Sequence, residues 1–394
     1  MTLALAVFDA VVILAVVIPF IFLLRHRRAI PLLPAVDAPA ALPSLSVIVP
    51  ARDEAAAIRE ALASLLAQDY PGLTVVAVDD RSTDGTTGVL RELAAAHPTL
   101  RVLRVDELPP GWLGKNHALW YGGQATNSQW MLFTDADIAF APGTLRRAVA
   151  YALAERLDHL TLAPHLVSRS FLLGAFVGFF TYAFVALWGA YLANDEKSKR
   201  GVGIGAFNLF RRAAYERIGT MAALSLRPDD DIRLGRRLRA FGFRQRVLNG
   251  REWLSVSWYS SLGAALRGLE KSMFSSLEYR PLDATGVVLF IVATMVWPFV
   301  GVFVLGGLDR ALLAVAVACQ LAGFLETYRQ ALGRLDLRAV AHALLLPVSA
   351  LLFCYVIARA TFLALSTGRV TWRGTAYALA ELRAQSGLEG VPGP

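Results

Sequence analysis

Five residues able to form a buried strand, Trp130-Met131-Leu132-Phe133-Thr134, end abruptly in Asp135-Ala136-Asp137, two carboxylates one residue apart. In an open α/β sheet, strand ends of this kind face the crevice where ligands bind. Two carboxylates there suit a hard divalent cation, which takes oxygen ligands and shares them with a diphosphate. Alone, the stretch reads more simply as a strand followed by an acidic turn. Further acidic and glycine-containing turns, at the ends of other strands, move the balance.

Those strands recur with helices between them. Leu45–Pro50 is a short apolar strand, and Ile58, Leu62, Leu65 and Leu66 follow at helical spacing. Thr74–Val78 is a second strand. It runs into Asp79-Asp80-Arg81-Ser82-Thr83-Asp84-Gly85-Thr86, a turn that opens a helix with Val89, Leu90 and Leu93 on its apolar face. Leu100–Val105 is a third strand and Trp130–Thr134 a fourth. This alternation predicts an α/β fold, a mostly parallel sheet covered by helices on both faces.

Apolar runs flank the pattern and raise the apolar fraction of the 394 residues to 56%, above that of a usual soluble domain. Leu3–Leu24 carries one charge, Asp9, and as a helix is about 33 Å long. Arg25-His26-Arg27-Arg28 follows it, which marks a membrane anchor with that end cytoplasmic rather than a cleaved signal peptide. Residues 1–28 are therefore read as the anchor, and 29–43, with four prolines, as a linker. The α/β domain is read as 44–256. Within it, 171–193 is long enough to span but lies between acidic motifs that must share one site, so a segment at the membrane interface is preferred. Residues 257–283 read as an interfacial amphipathic helix, with Leu262, Leu266, Leu269, Met273 and Leu277 on one face. About three transmembrane helices follow within 284–366, the last kinked at Pro347, and 367–394 is a tail. The net charge of +8 fits anionic lipid. Nucleic acid is not an expected partner, since no basic stripe with interleaved aromatics stands outside the apolar contexts. Cys319 and Cys354 both fall in apolar segments and give no metal or disulfide spacing.

Taken together, Ser46-Val47-Ile48-Val49-Pro50-Ala51-Arg52-Asp53-Glu54, Val78 to Thr86 and Thr134-Asp135-Ala136-Asp137 resemble the motifs of the family-2 glycosyltransferases with a GT-A fold. Asp229-Asp230-Asp231 with Leu234, Leu238 and Gly242-Phe243-Arg244 is similar to the family's Glu-Asp motif and its following helix, with Asp230 at the Glu and Asp231 at the Asp. Gly203-Ile204-Gly205-Ala206-Phe207-Asn208-Leu209-Phe210-Arg211-Arg212 resembles the small-residue loop upstream of it. Gly111-Trp112-Leu113-Gly114-Lys115 looks like that of the ceramide, hopene-associated and carotenoid glycosyltransferases, and Val370 to Tyr377 resembles their tail. Two departures stand out. Arg52 occupies the place of the family's Tyr, and the Gln-x-x-Arg-Trp motif of processive synthases is absent, which weighs against a polymerising enzyme.

The resemblance implies an inverting transfer of one sugar from a nucleotide donor, expected to be a UDP-sugar, to a membrane lipid hydroxyl. It implies Asp231, beside Asp230, as the catalytic base, its proton affinity raised by flanking Asp229 and Asp230. Asp137 with Asp135 is expected to hold Mg²⁺ or Mn²⁺, Asp135 alternatively touching ribose or donor sugar. Pro50, Arg52, Glu54 and Asp80 are expected at the base and ribose. Lys115, in a Gly-flanked loop, is expected at a phosphate or the uracil. His117 reads as structural. The expected place is the inner membrane, multi-pass, with the catalytic domain cytoplasmic and 171–193 and 257–280 leading the acceptor in. The rivals are transfer to a polyprenyl phosphate, polysaccharide extension, or a silent lipid-binding protein. Sugar, lipid and oligomeric state stay open.

Overall fold

The computed structural model describes residues 3–37 and 39–386, so the end of the expected tail, 387–394, lies outside the described residues. The described residues divide into two compact units, one within 30–167 and 191–257, the other of 3–29, 168–190 and 258–386. In chain order the elements of the first half are α1 (Leu3–Arg25), β1 (Leu45–Ala51), α2 (Ile58–Leu66), β2 (Leu73–Asp80), α3 (Thr86–Ala96), β3 (Leu100–Val105), α4 (Gly114–Gln124), β4 (Trp130–Phe133), β5 (Ala139–Phe140), α5 (Thr144–Ala154), β6 (His159–Ala163), β7 (His165–Leu166) and α6 (Phe171–Tyr182). Then come β8 (Asn208–Arg211), α7 (Arg212–Arg217), α8 (Asp230–Ala240), β9 (Gln245–Asn249) and β10 (Leu254–Val256).

The unit of residues 30–167 and 191–257 is a mixed α/β domain around a seven-stranded sheet of order β3-β2-β1-β4-β8-β6-β9. All neighbours are parallel except β8, which runs antiparallel to both β4 and β6. The central strands β1 and β4 are mostly apolar on both faces because helices cover both: Val47 and Val49 pack with Leu62, Leu65 and Leu90 on one side. Ile48, Val76 and Val78 pack with Leu119 and Leu234 on the other. A small sheet, β5-β10-β7, flanks it. Part of the stretch expected as a linker is fastened to this unit. Leu33 is buried in the core, its N–H donates to Asn249 O at 3.1 Å, and the Asn249 N–H donates to Pro31 O at 2.8 Å.

The other unit is helical. It adds α9 (Leu262–Ser276), α10 (Pro281–Ile291), α11 (Trp297–Val304), α12 (Gly307–Leu332), α13 (Leu337–Leu344), α14 (Leu346–Thr367), a hairpin of β11 (Arg369–Trp372) and β12 (Thr375–Ala378), and α15 (Leu379–Ser386). Four helices, over 4–25, 281–304, 307–332 and 346–367, are long and apolar enough to cross a membrane. Between α10 and α11 lies a π-helical turn, and Gln320 Nε2 donates to Thr294 O there at 2.9 Å, capturing a backbone carbonyl that the irregular turn leaves to side chains. The indole N–H of Trp297 donates to Asp9 Oδ1 at 2.7 Å, giving the one acid of α1 a partner. In α6, Gly178 leaves room for Phe324 and Tyr328 of α12. Two expectations shift. The kink assigned to Pro347 is a full break at Leu345, with Pro347 in the first turn of α14, where a missing N–H costs little. Of the apolar stripe expected around α9, only Leu269 is fully buried; Ala265 and Phe274 complete the buried face.

Candidate active site

Where β4 ends, the antiparallel run of β8 carries the preceding loop back over it, Phe133 standing opposite Asn208. Thr134 Oγ1 donates to Ala206 O at 2.8 Å and the Asp135 N–H donates to Gly205 O at 3.1 Å. Helix α8 packs its first turns onto that same loop, backbone to backbone. A Cβ on Gly235 would stand 2.2 Å from Val202 C, and one on Gly203 would stand 1.9 Å from Asp231 O. Only glycine permits both approaches. At Gly205 the N–H donates to Asp231 Oδ2 at 2.7 Å, and a Cβ there would lie 2.6 Å from Asp135 Oδ2 and 3.3 Å from Asp231 Oδ2. The loop therefore sets the separation of two carboxylates.

Behind the loop, a buried polar group holds it to the sheet. Gln245 exchanges hydrogen bonds with the backbone of Val202, at 3.0 and 2.8 Å, and also meets His159 Nδ1. His159 Nε2 bonds Asn208 Oδ1 at 3.0 Å, and the Ile204 N–H donates to Thr161 Oγ1 at 3.0 Å. Burial pushes the His159 imidazole down to about 4, so it is neutral at pH 7.

Lys115 is not in a loop. It sits in the first turn of α4, and Gly114 before it is buried because a Cβ there would stand 2.1 Å from Asp80 Oδ2; the glycine serves close packing rather than flexibility. Asn116 Nδ2 donates to the carbonyls of Leu224 and Arg227, and the Leu113 N–H donates to Ser225 O at 2.8 Å, so the start of α4 is tied to the segment that leads into α8. From that root Lys115 Nζ reaches Asp135 Oδ1 at 2.8 Å and Asp230 Oδ2 at 3.5 Å. Lys115, Thr134, Asp135, Gly205, Asp230 and Asp231 line one narrow cleft. Burial acts to lower the Lys115 pKa, but Asp135, Asp230 and Asp231 outweigh it and hold the ammonium above its ordinary range.

A family model described as glycosyltransferase like family 2 matches residues 43–273. The chain belongs to that family. Two curated relatives, the 4,4'-diaponeurosporenoate glycosyltransferases of Staphylococcus aureus strains bovine RF122 / ET3-1 and MRSA252, are 28% identical over 180 residues and 27% identical over 178. Each match covers 45% of this chain and 46% of the relative, so the chain spans about half the length of the curated relatives it matches. Among solved structures, a mannosyltransferase from Pyrobaculum calidifontis, in complex with GDP-Man and Mn²⁺, is similar with a TM-score of 0.53 at 21% identity, covering 91% of this chain and 98% of that one. The fold is GT-A.

In this glycosyltransferase Asp231 is raised above the ordinary carboxylate range, first by burial and then by Asp135, with Lys115 opposing. The expected cause was different. Asp229 does not act on it as a bare charge, since Asp229 is buried between Arg227 Nε at 3.3 Å and Arg233 Nε at 2.7 Å. Asp137 is pushed up to about 7 by burial, Asp135 and Glu54. That crowding of like charge is what a cation relieves, and two carboxylates offering oxygen ligands suit Mg²⁺ or Mn²⁺. Among the described residues no three His, Cys, Asp or Glu side chains converge to enclose an ion by themselves.

The remaining site residues lie outside that cleft's wall. Asp80 is buried at the end of β2, taken by Arg81 Nε at 2.7 Å and Nη2 at 3.1 Å, with Arg52 Nη1 at 3.8 Å. Arg81 holds a left-handed backbone at φ 58° and Asp53 at φ 54°, which turns both strand ends sharply. The Glu54 N–H donates to Thr86 Oγ1 at 2.9 Å, joining the two turns, and Pro50 pairs with Val78 inside the sheet. Sequence reasoning noted the Gly203–Ala206 loop only as a resemblance and gave Asn116 no role; the run of small residues was the available signal for the first.

Proposed function

We propose that this glycosyltransferase moves one sugar, with inversion, from a UDP-sugar to the hydroxyl of a membrane lipid. One observation carries the reading: a buried carboxylate, Asp231, held by the Gly205 N–H at 2.7 Å, shares a cleft with Asp135 of the Asp-x-Asp pair. Asp231 is the base. It takes the proton of the acceptor hydroxyl as that oxygen attacks the anomeric carbon from the face opposite the leaving diphosphate, and its raised proton affinity fits that task. Asp230 shares Lys115 with Asp135 and holds the acidic side of the cleft in position. Asp135 and Asp137 hold Mg²⁺ or Mn²⁺, which when bound neutralises charge on the departing diphosphate.

The UDP donor rests on the family resemblance. At the end of β2, Asp80 is buried and paired with Arg81 Nε at 2.7 Å and Arg52 Nη1 at 3.8 Å, so it orders the two guanidinium groups where the base and ribose are expected. Pro50 and Glu54 shape the same turn. A lipid acceptor is favoured by the helices of the same chain that are long and apolar enough to cross a membrane; on this reading the enzyme is multi-pass in the cell membrane, with its catalytic unit on the cytoplasmic side, where nucleotide sugars are made.

The curated relatives are named for an acid anion, so a carboxylate acceptor is the second reading. A carboxylate needs no base and would enter beside Asp135, Asp230 and Asp231; a neutral hydroxyl meets no such repulsion and is preferred. The test is transfer of radiolabelled sugar from UDP-glucose, UDP-galactose and UDP-N-acetylglucosamine into extractable lipid, on membranes holding wild type, Asp231→Asn or Asp137→Ala. Label confined to the wild type, in an alkali-stable glycosidic linkage, is expected. Alkali-labile label that survives in Asp231→Asn establishes the carboxylate reading instead, and label with GDP-sugars alone overturns the UDP assignment.

A further inference from the structure

Lys115 stands where its charge and the charge of a divalent cation compete. Its ammonium lies 2.8 Å from Asp135 Oδ1, so one of the two carboxylates suited to the cation already has a positive partner. The same ammonium lies 3.5 Å from Asp230 Oδ2, and the start of α4 is pinned by Asn116 and Leu113 to the segment carrying Asp230. The side chain can thus leave Asp135 without its root moving. Around it stand Asp135, Asp230 and Asp231, with Asp137 close enough to feel its charge. One lysine cannot neutralise them all, so the cleft still attracts a cation, but the cation must first take Asp135 from the lysine.

We infer that Lys115 is an exchangeable internal counter-ion that couples metal binding to donor binding. Resting on the nucleotide-sugar reading, the exchange is as follows. A divalent cation arriving alone displaces the ammonium from Asp135 and leaves it Asp230 as its one remaining direct partner, with Asp231 acting only through its charge, which weakens binding. A cation arriving with a nucleoside diphosphate gives the released ammonium a phosphate oxygen as its new partner. Each ligand then strengthens the other, and by linkage the strengthening is mutual. Without Lys115 the bare carboxylates bind the cation better alone and the coupling falls.

The experiment is Mn²⁺ binding to the purified full chain in detergent, followed by electron paramagnetic resonance of the free ion, for wild type, Lys115→Gln and Lys115→Arg, with and without UDP. Wild type is expected to bind Mn²⁺ weakly alone and about tenfold more tightly with UDP, within the usual range of coupled sites. Lys115→Gln is expected to bind Mn²⁺ alone more tightly than wild type, by about the same factor, and to lose most of the gain from UDP. Lys115→Arg, which keeps the charge, is expected to retain coupling. Mn²⁺ binding in Lys115→Gln that is no tighter than wild type, in a variant whose melting temperature shows it folded, overturns the exchange, as does an undiminished effect of UDP. If no protein binds Mn²⁺ even with UDP, the exchange falls together with the metal assignment. UDP binding that persists in that case leaves the nucleotide reading standing.

Discussion

At Gly205 a single methyl group decides the spacing of two carboxylates. Its Cβ would stand 2.6 Å from Asp135 Oδ2, closer than any stable contact allows, while the backbone there takes no left-handed angle that alanine would resist. Gly205→Ala is therefore expected to fold and to lower kcat on the order of 10²-fold, the usual cost of an ångström-scale misplacement. UDP affinity should stay near that of wild type. An unchanged rate would show that Gly205 does not set the Asp135–Asp231 distance. His159 makes a different prediction. Its folded pKa of about 4 lies below the ordinary 6.5, so the unfolded chain takes up its proton first and stability is lost as pH falls from about 6.5 towards 4. The full shift corresponds to about 3 kcal/mol. His159→Gln, which keeps hydrogen bonding but cannot titrate, should be less stable than wild type at pH 7.5, and the difference in Tm should narrow towards pH 5. A constant difference across that range would mean that burial of neutral imidazole is not what the wild type loses in acid.

Helix α4 shows how an element places a charge. Its first turn carries Lys115 into the cleft while Asn116, fully buried, bonds the carbonyls of Leu224 and Arg227. Asn116→Ala is expected to lower stability by about 1–3 kcal/mol, the worth of two buried hydrogen bonds. It should also lower kcat, because Lys115 and Asp230 lose their common anchor; an unaltered melting curve removes the pin. None of this was readable from Gly114-Lys115-Asn116, which looked like a loop. Glycine at the head of a helix signals a turn unless the neighbour is known, and here the neighbour is the Asp80 carboxylate, brought by another strand. The same limit explains Asp229. In sequence it is one of three adjacent acids, whereas in the fold Arg227 and Arg233 enclose it and burial takes over the task assigned to it. The strands fared better because their signal is local. Leu45–Pro50, Thr74–Val78 and Trp130–Thr134 are apolar along their length, and the structure has strands at 45–51, 73–80 and 130–133. What local pattern could not reveal was β8, four residues that run against β4 and β6 and bring the glycine loop over the Asp-x-Asp pair.

The whole chain sets the two units a common problem, since the helical one exposes large apolar side chains that water does not tolerate together. On α1 Val11 is 60% and Leu14 56% exposed, on α11 Phe303 is 83%, and on α14 Phe362 is 69%. Exposure of this kind on several helices fits the proposed lipid-facing surface. Two modes of attachment then make opposite predictions. Attachment through the net charge of +8 is screened at 1 M salt, where the Debye length is about 3 Å. Attachment by spanning helices is indifferent to salt and to alkaline carbonate. The chain is expected to remain in the membrane pellet through both washes. Removing residues 1–28 sharpens the result, because three further candidate spans remain at 281–304, 307–332 and 346–367. If those helices cross the bilayer, the shortened protein stays in the pellet, though less stable for want of the Asp9–Trp297 hydrogen bond at 2.7 Å. Its release by carbonate would reduce the membrane anchor to α1 alone and require the remaining apolar faces to be covered by protein.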